Sequence, residues 1–469
     1  MKKQIITKSF LAVAVLLVTI ASSAQSSSSA YFLEGNNQRY QLNPAFAPER
    51  QVFMAIPVLS NIQIDAQSSI GLANFVYESE SYPGMLTTFM SPDIDAKRFL
   101  DDMPDVAQIN IGLNMDILAL GVGGKKGFTT FNVKMRNNEQ VNLPKELFRF
   151  MKASMSADDY FIENLNINSI TYMEASLTHS HRIGENLHIG LGLKFLEGVE
   201  YLDMTINEID IKLHEDEWAV KSNGTIKASV PGATYNLDPN TQAFDGMDQF
   251  ALKKVPASYG FAVDLGAEYD FKGILKGLKL SASATDLGFI GWENMNTFAT
   301  NNNEYVIFDG FNNYDPEGNN NDETFDQMND DFNDMVQLYQ TGTVDKSERV
   351  ALNSTFRVGA EYELPFAKWI SIGELITYRT GMWPYKESRT SLSLCTGWID
   401  LTGNAAVSSL GSTLGVMLNF HPGGLNLFVA VDHLKAELNP QFIPLHDFGV
   451  NFSMGMNFAF GKKRSKIDD

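Results

Sequence analysis

The chain has 469 residues, 44% of them hydrophobic and 20% charged, with a formal net charge of −20 at neutral pH and one cysteine. An acidic balance of that size excludes a general nucleic-acid binder, whose affinity rests on Lys and Arg neutralising phosphates, and a lone cysteine excludes an internal disulfide framework. Past the N-terminus no apolar run reaches the roughly 18 residues of a helical membrane span, which leaves a large secreted β protein or a membrane β-barrel, whose signal is hidden because every second residue faces the lumen.

At the N-terminus, Lys2 and Lys3 precede an apolar core from Phe10 to Ile20, and Ser22 and Ala24 supply the small residues that a signal peptidase reads. Residues 1–24 are therefore expected to be a secretory signal peptide. Cys395 lies far from that site, so no lipid anchor is expected there. Loss of Lys2, Lys3 and Lys8 would make the mature chain more acidic still.

The rest of the chain is governed by a period of two. From Phe448 the even positions run Phe448, Val450, Phe452, Met454, Met456, Phe458 and Phe460, while the intervening positions are small or polar. Segments 107–117, 187–195, 258–271 and 425–431 alternate in the same way. Soluble sandwiches alternate too, but their strands are shorter; here the polar register is rich in Gly, Asn, Ser and isolated charges, which suits a wet lumen. The fold class predicted is all-β, a transmembrane antiparallel β-barrel spanning 25–460, with short helices in loops or a plug and a polar tail at 461–469.

Short turns are expected at 123–127, 183–186, 272–277, 365–368, 397–398 and 421–424, and longer loops at 67–106, 137–166, 205–256, 292–350, 381–387, 408–411 and 434–446. Threading these gives about 14 strands, at 50–66, 107–122, 127–136, 167–182, 187–204, 257–271, 277–291, 351–364, 369–380, 388–397, 399–407, 412–420, 424–433 and 446–460, an even number that returns both termini to the periplasmic side. Segments 93–103 and 143–155 read as helices that plug the lumen, line it or cap the rim. Segment 301–346, rich in Asn and Asp with a possible helix near 325–340, reads as an acidic outer loop.

Trp369 and Trp398 beside short turns, and Trp292 and Trp383 toward the opposite ends, are candidates for the aromatic belts that flank a barrel's apolar band. Asp264, Glu268, Arg357 and Glu361 fall on the lumen-facing registers, where charges are paired or wet; they are candidates for contact with ions or solutes, with pairing across the lumen as the default. Asn313, Asp315, Glu317, Asn320, Asp322 and Glu323 offer hard oxygens, but Thr324 stands where an EF-hand loop needs Glu and Pro316 interrupts it, so a solvated acidic loop is the better reading. His179, His181 and His188 flank one tight turn and could share a face, a weak signal for zinc or copper. No metal and no cofactor is therefore expected, and the absence of G-x-S-x-G, H-E-x-x-H and Walker motifs argues against an enzyme and names no catalytic residue.

Several blocks also resemble a known family. LEGNNQRYQLNPAFAPER at 33–50, NGTIKASVPG at 223–232, GSTLGVMLNFHPGGLNLFVAVDHL at 411–434 and PQFIPL at 440–445 are similar to an uncharacterised domain-of-unknown-function family of outer-membrane barrels from Bacteroidota, with Asn43-Pro44-Ala45 the most specific part. The chain also resembles, in style, the gliding-motility and type IX secretion accessory barrels of that phylum, and in strand number the fatty-acid-transporter barrels. The resemblance implies a cell outer-membrane protein whose partners are the lipid bilayer and the barrel assembly machinery, without nucleic acid. Two functions stay open: transport of small or hydrophobic solutes, gated by 67–106 and 143–155, or a non-transport barrel that docks other envelope proteins of surface or secretion complexes through 301–346.

Overall fold

Lipid on one side and water on the other force large and small side chains to alternate, and in the computed structural model the alternating segments pair into one closed antiparallel barrel of fourteen strands. The structure describes residues 28–79, 81–153, 159–213, 218–230, 234–237, 244–248, 258–300, 305–308, 338–340, 347–381, 384–409, 411–435 and 445–463. Residues 1–24, expected from the sequence to be a signal peptide, and the last residues of the tail lie outside them, as does Trp383.

The barrel strands, in order, are β1 (Arg50–Ala55 and Ile62–Ser68), β2 (Val106–Gly123), β3 (Gly127–Pro144), β4 (Tyr160–Ile183), β5 (Leu187–Leu213), β6 (Ser258–Asp270), β7 (Leu278–Trp292), β8 (Glu348–Ala351 and Thr355–Leu364), β9 (Ala367–Arg379), β10 (Tyr385–Cys395), β11 (Ile399–Ser408), β12 (Gly411–Phe420), β13 (Leu425–Lys435) and β14 (Phe448–Lys463). Each pairs with its chain neighbours, and β14 closes the ring by pairing with both halves of β1. Closure leaves no edge strand in the wall, so backbone N–H and C=O groups are paired within the bilayer, where no water could satisfy them.

Outward positions are large and apolar: Leu191, Leu193 and Phe195 on β5, Phe261 on β6, Ile372 and Ile376 on β9, and Leu414, Val416 and Leu418 on β12 are all exposed. Inward positions between them are small or polar and buried, among them Ser391, Ser393, Thr402, Asn419, Asn426 and Asn457. Both β1 (Arg50) and β14 (Lys463) end beside each other at the end that carries the short turns.

The strands outrun the expected loops. β3 and β4 pair on to Asn142↔Asn166, and β5 continues to Leu213, where Trp218–Ser229 folds back on it. Residues 137–144, 160–166 and 205–213 are thus strand, not loop: past the lipid-facing band, Tyr160, Ile162, Ile211 and Leu213 bury one face against Val220, Leu147 and Phe150, so pairing continues there. Asn296–Thr300 and Val306–Phe308 extend this outer ribbon by pairing with Trp218–Ser229. Of the acidic segment 301–346, Leu338–Gln340 is a strand paired with Phe298–Thr300 rather than the end of a helix; Asn313–Glu323 lie outside the described residues.

Among the described residues two α-helices stand in the loops: α1 (Ala96–Asp101) and α2 (Lys145–Ala153). The Asp95 carboxylate caps α1 by accepting the Arg98 N–H at 3.0 Å. Phe99 of α1 and Phe148 of α2 are buried in one cluster with Tyr77, Phe89 and Ile94, where the rings of Phe89 and Phe99 stack at 4.7 Å. Both helices sit at the long-loop end, where β2 begins and β3 ends, and they cap the rim; the lumen is filled by another part of the chain.

Candidate functional site: the lumen plug and the chamber above it

A closed wall of fourteen strands encloses more space than its own side chains can fill. Residues 28–49, which precede β1, turn back into the lumen from the short-turn end. Tyr31, Phe32, Leu33, Leu42 and Phe46 form a buried apolar cluster there with Leu375, Met417, Phe428 and Ala430, which point inward from β9, β12 and β13. Tyr31 packs edge-on against Phe32 and Phe46, each at 5.1 Å.

The seat is shaped by a cross-strand pair of glycines. Gly190 on β5 lies opposite Gly266 on β6. A Cβ on Gly190 would lie 2.0 Å from the Pro44 carbonyl carbon, and one on Gly266 would lie 2.0 Å from Asn43 Oδ1. Only residues without a Cβ let the backbone of Asn43-Pro44-Ala45 approach this closely. Asn43 Nδ2 donates to the Ala267 and Ala282 carbonyls, both at 3.3 Å, and its Oδ1 accepts the Ala45 N–H at 3.0 Å.

Polar contacts hold the rest of the plug. Gln41 donates to Asp116 at 2.8 Å, Asn37 to Asn457 at 2.8 Å and Gln38 to the Ser60 hydroxyl at 2.8 Å, while Asn132 donates to the Tyr40 hydroxyl at 3.0 Å. Near the short turns, Lys279 pairs with Glu34 at 2.6 Å and Arg39 faces Glu268 at 3.8 Å. Lys279 holds the Glu34 carboxyl charged, drawing its pKa down to about 2. At the inner tip, the Ser29 N–H and hydroxyl both donate to Asp432, whose other partner is the fully buried guanidinium of Arg389 at 2.9 Å. Arg389 also meets Glu387 at 2.9 Å.

Above the plug lies a chamber of about 440 Å³, floored by Ser28 and Gln41. Its wall is polar, with Asn114, Asn137, Asn138, Gln140, Asn168, Thr285 and Thr377 among the lining residues. Lys194 bridges Asp286 at 2.6 Å and Asp264 at 2.8 Å, and Arg136 joins Asp286 at 2.7 Å to Glu174 at 3.2 Å. Asp286 adopts φ +63°, at an irregular stretch where β6 and β7 shift register between Val263 and Leu265, and the Asp264 carboxylate accepts the Asp286 N–H at 2.7 Å. The neighbouring wall is also interrupted, because β7 passes from pairing with Glu348–Ala351 to pairing with Thr355–Tyr362.

The four charges singled out in the sequence occupy two places. Asp264 and Arg357 lie at mid-barrel; the Arg357 guanidinium donates to the Leu42 carbonyl of the plug at 3.4 Å and to Thr285 at 3.3 Å. Glu268 and Glu361 lie near the short turns, Glu361 at 3.9 Å from Lys279. Trp369 and Trp398 stand 53% and 56% exposed at the short-turn end. Trp292 corrects the belt expectation: it is wholly buried, stacked on Tyr201 at 5.3 Å among Leu196, Ile290 and Met295, so it reaches no lipid.

The histidines do not converge. The turn pairs Ile183 with Leu187 and therefore Arg182 with His188, one residue off the expected register. His179 and His181 are exposed on the outer face with Leu177 and Ile189, and His188 falls on the opposite, inward register; a slip of one residue reverses the face. Among the described residues no cluster of metal-ligating side chains forms.

Segments 67–106 and 143–155 were expected to gate the lumen; the helices they carry cap the rim, and the lumen itself is filled by 28–49. That segment carries no period, so alternation could not place it. The available signal lay in the wall: Leu375, Met417 and Phe428 are large apolar residues on the polar register and call for an apolar partner inside.

A closed barrel with an apolar outer face, short turns at one end and an N-terminal plug is a transmembrane barrel of the bacterial outer-membrane type. The chain belongs to a family of unknown function, DUF5723, which matches residues 44–432. No curated protein matches it. Among solved structures, it is similar to the Pseudomonas putida toluene transporter TodX (7% identity, 94% of this chain and 96% of that chain, TM-score 0.43). It is also similar to the Ralstonia pickettii toluene transporter TbuX (8%, 90% and 93%, 0.31) and to a Pseudomonas aeruginosa FadL homologue (9%, 94% and 100%, 0.25).

Proposed function

We propose that the protein is a plugged outer-membrane channel that takes small polar solutes into the chamber and passes them when residues 28–49 shift. The observation that carries this reading is the chamber itself: a polar space directly above a plug that is tied to the wall by many separate contacts. Each such neutral hydrogen bond contributes only about 0.5–1.5 kcal/mol net, so a partial displacement of the plug breaks a few of them at a time. The lining favours the small-solute form of the transport expectation over the hydrophobic one, because an apolar solute would desolvate these carboxamides and hydroxyls without pairing them.

The test locks the plug. In a Cys395→Ser background, Ser29→Cys and Asn404→Cys place thiols on two residues whose side chains touch. Reduced protein in proteoliposomes should give solute-driven swelling, and oxidation should stop it. If reduced and oxidised protein both swell at the same rate, or neither swells, the reading fails.

A docking role draws support from the outer ribbon, where Trp218–Ser229 and Val306–Phe308 stand beyond the rim with Ile307 52% exposed. Crosslinking in intact cells that recovers no envelope partner through this ribbon would remove that reading.

A further inference from the structure

The whole chain is strongly acidic, yet the chamber is lined by five cationic side chains, Lys134, Arg136, Lys194, Arg357 and Arg379, and only two acidic ones, Asp203 and Asp286. The first three cations are neutralised by Glu174, Asp264 and Asp286. The last two are not. Among the described residues neither guanidinium has an ion-pair partner: Arg357 meets only the Leu42 carbonyl and Thr285, and Arg379 lies over the Tyr385 ring at 5.6 Å, with Asp65 acting on it from beyond ion-pair range.

The two arginines occupy neighbouring positions on adjacent strands. Arg357 on β8 pairs with Thr377 on β9, and Arg379 is two residues along β9, on the same inward face. Arg357 is 7% exposed and Thr377 is 6% exposed, and each holds a buried polar atom, Nε and Oγ1, with no hydrogen-bond partner. Leaving such groups unpaired costs about 1–3 kcal/mol each, more for a charged one. Both arginines line the chamber, and a planar guanidinium with donors to spare matches the oxygens of a carboxylate or a phosphate.

We propose that Arg357, Arg379 and Thr377 form a binding site for the carboxylate or phosphate group of a small polar anion in the chamber. The site rests on the channel reading for its purpose, but it is tested without transport. The surrounding Asn, Gln and Thr side chains would hydrogen-bond the remainder of a hydroxylated or amide-bearing solute. Because one Arg357 donor reaches the plug carbonyl of Leu42, the bound anion would also sit within reach of the contact that fixes the plug roof.

Purified full-length protein in detergent is titrated calorimetrically, at low ionic strength, with succinate, with inorganic phosphate and with neutral succinamide. Saturable binding of succinate or phosphate is expected, with none for succinamide, and the better of the two anions identifies the group the site prefers. Arg379→Gln should weaken that binding at least fivefold, Arg379→Lys should restore part of it, and the Arg357→Gln/Arg379→Gln pair should abolish it. If the double variant does not assemble, Arg379→Gln decides alone, since Arg379 is only half-buried. Binding of succinamide equal to succinate, absence of binding by both anions, or wild-type affinity in Arg379→Gln would overturn the proposal. Swelling measured in parallel separates the two readings: anion binding without solute passage sinks the channel and leaves the site, and passage without anion binding does the reverse.

Discussion

Lys194 meets three buried carboxylates of the lumen wall, Glu174, Asp264 and Asp286. Its ammonium is the only cation in ion-pair contact with Asp264 among the described residues, at 2.8 Å, and it shares Asp286 with Arg136. Replacing Lys194 by Met keeps the bulk of the side chain but leaves Asp264 buried with one N–H donor, from Asp286. Removing one partner of a buried pair costs about 3–5 kcal/mol, whereas replacing both by apolar groups is often neutral. Lys194→Met should therefore lower the temperature at which the barrel loses its compact gel mobility, and Lys194→Met with Asp264→Leu should recover most of the loss. Equal destabilisation by the single and double variants would show that Lys194 matters through packing and not through charge. At this scale the sequence was informative about position and silent about partners. Asp264 and Arg357 could be put on inward registers from the period of two. That Arg357 would lack a counter-charge depends on which strands lie side by side across the lumen and on what the plug brings there.

At the scale of elements, the strands in the bilayer were legible because lipid permits only one pattern, and the six short turns fell where Gly, Pro and Asn clusters put them. Legibility ended where that constraint ended. Residues 205–213 pair as regular strand with Ile211 and Leu213 buried against Tyr160, Ile162 and Val220 of the outer ribbon, not against the lipid or the lumen, so a rule built on the bilayer did not place them. The turn at 184–186 was misread by one residue because the flanking residues, Arg182 to His188, are polar or ambiguous on both sides, and one residue was enough to separate the three histidines. The plug was illegible for a different reason: it is held by the shape of its seat. Gly190 and Gly266 pair across β5 and β6 to form that seat, and either glycine alone reads as an ordinary small residue on a lumen register. Gly190→Val should leave β5 intact, since Val suits a strand, but its Cβ would collide with the Pro44 backbone. The plug should leave its seat while the barrel stays folded, seen as protease cleavage within 28–49 and faster swelling than wild type. Wild-type protection in this variant would mean that the side-chain contacts, not the notch, fix the plug.

For the molecule as a whole, the question is whether the wall needs its contents. Wall and plug are joined differently from wall and wall. Each of the fourteen strands is bonded to its neighbours along its length, and no strand pairing of the barrel includes residues 28–49. What the plug supplies is apolar cover for Leu375, Met417 and Phe428, which would otherwise face a water-filled lumen, together with partners for Asp432 and Asp116. Full burial of one such apolar side chain is worth about 1.5–3 kcal/mol, so the plug contributes several kcal/mol in sum without contributing to closure. Deleting residues 28–46, with residues 1–27 kept, should therefore yield a barrel that still assembles and still shifts its gel mobility on heating, at a lower temperature than the full chain. In planar bilayers it should show a large, steady conductance where the full chain is mostly closed. Failure of the shortened chain to reach the membrane would reverse the order of dependence and make the plug the core around which the wall closes. A folded but non-conducting barrel would place the barrier above the chamber, in the rim capped by α1 and α2.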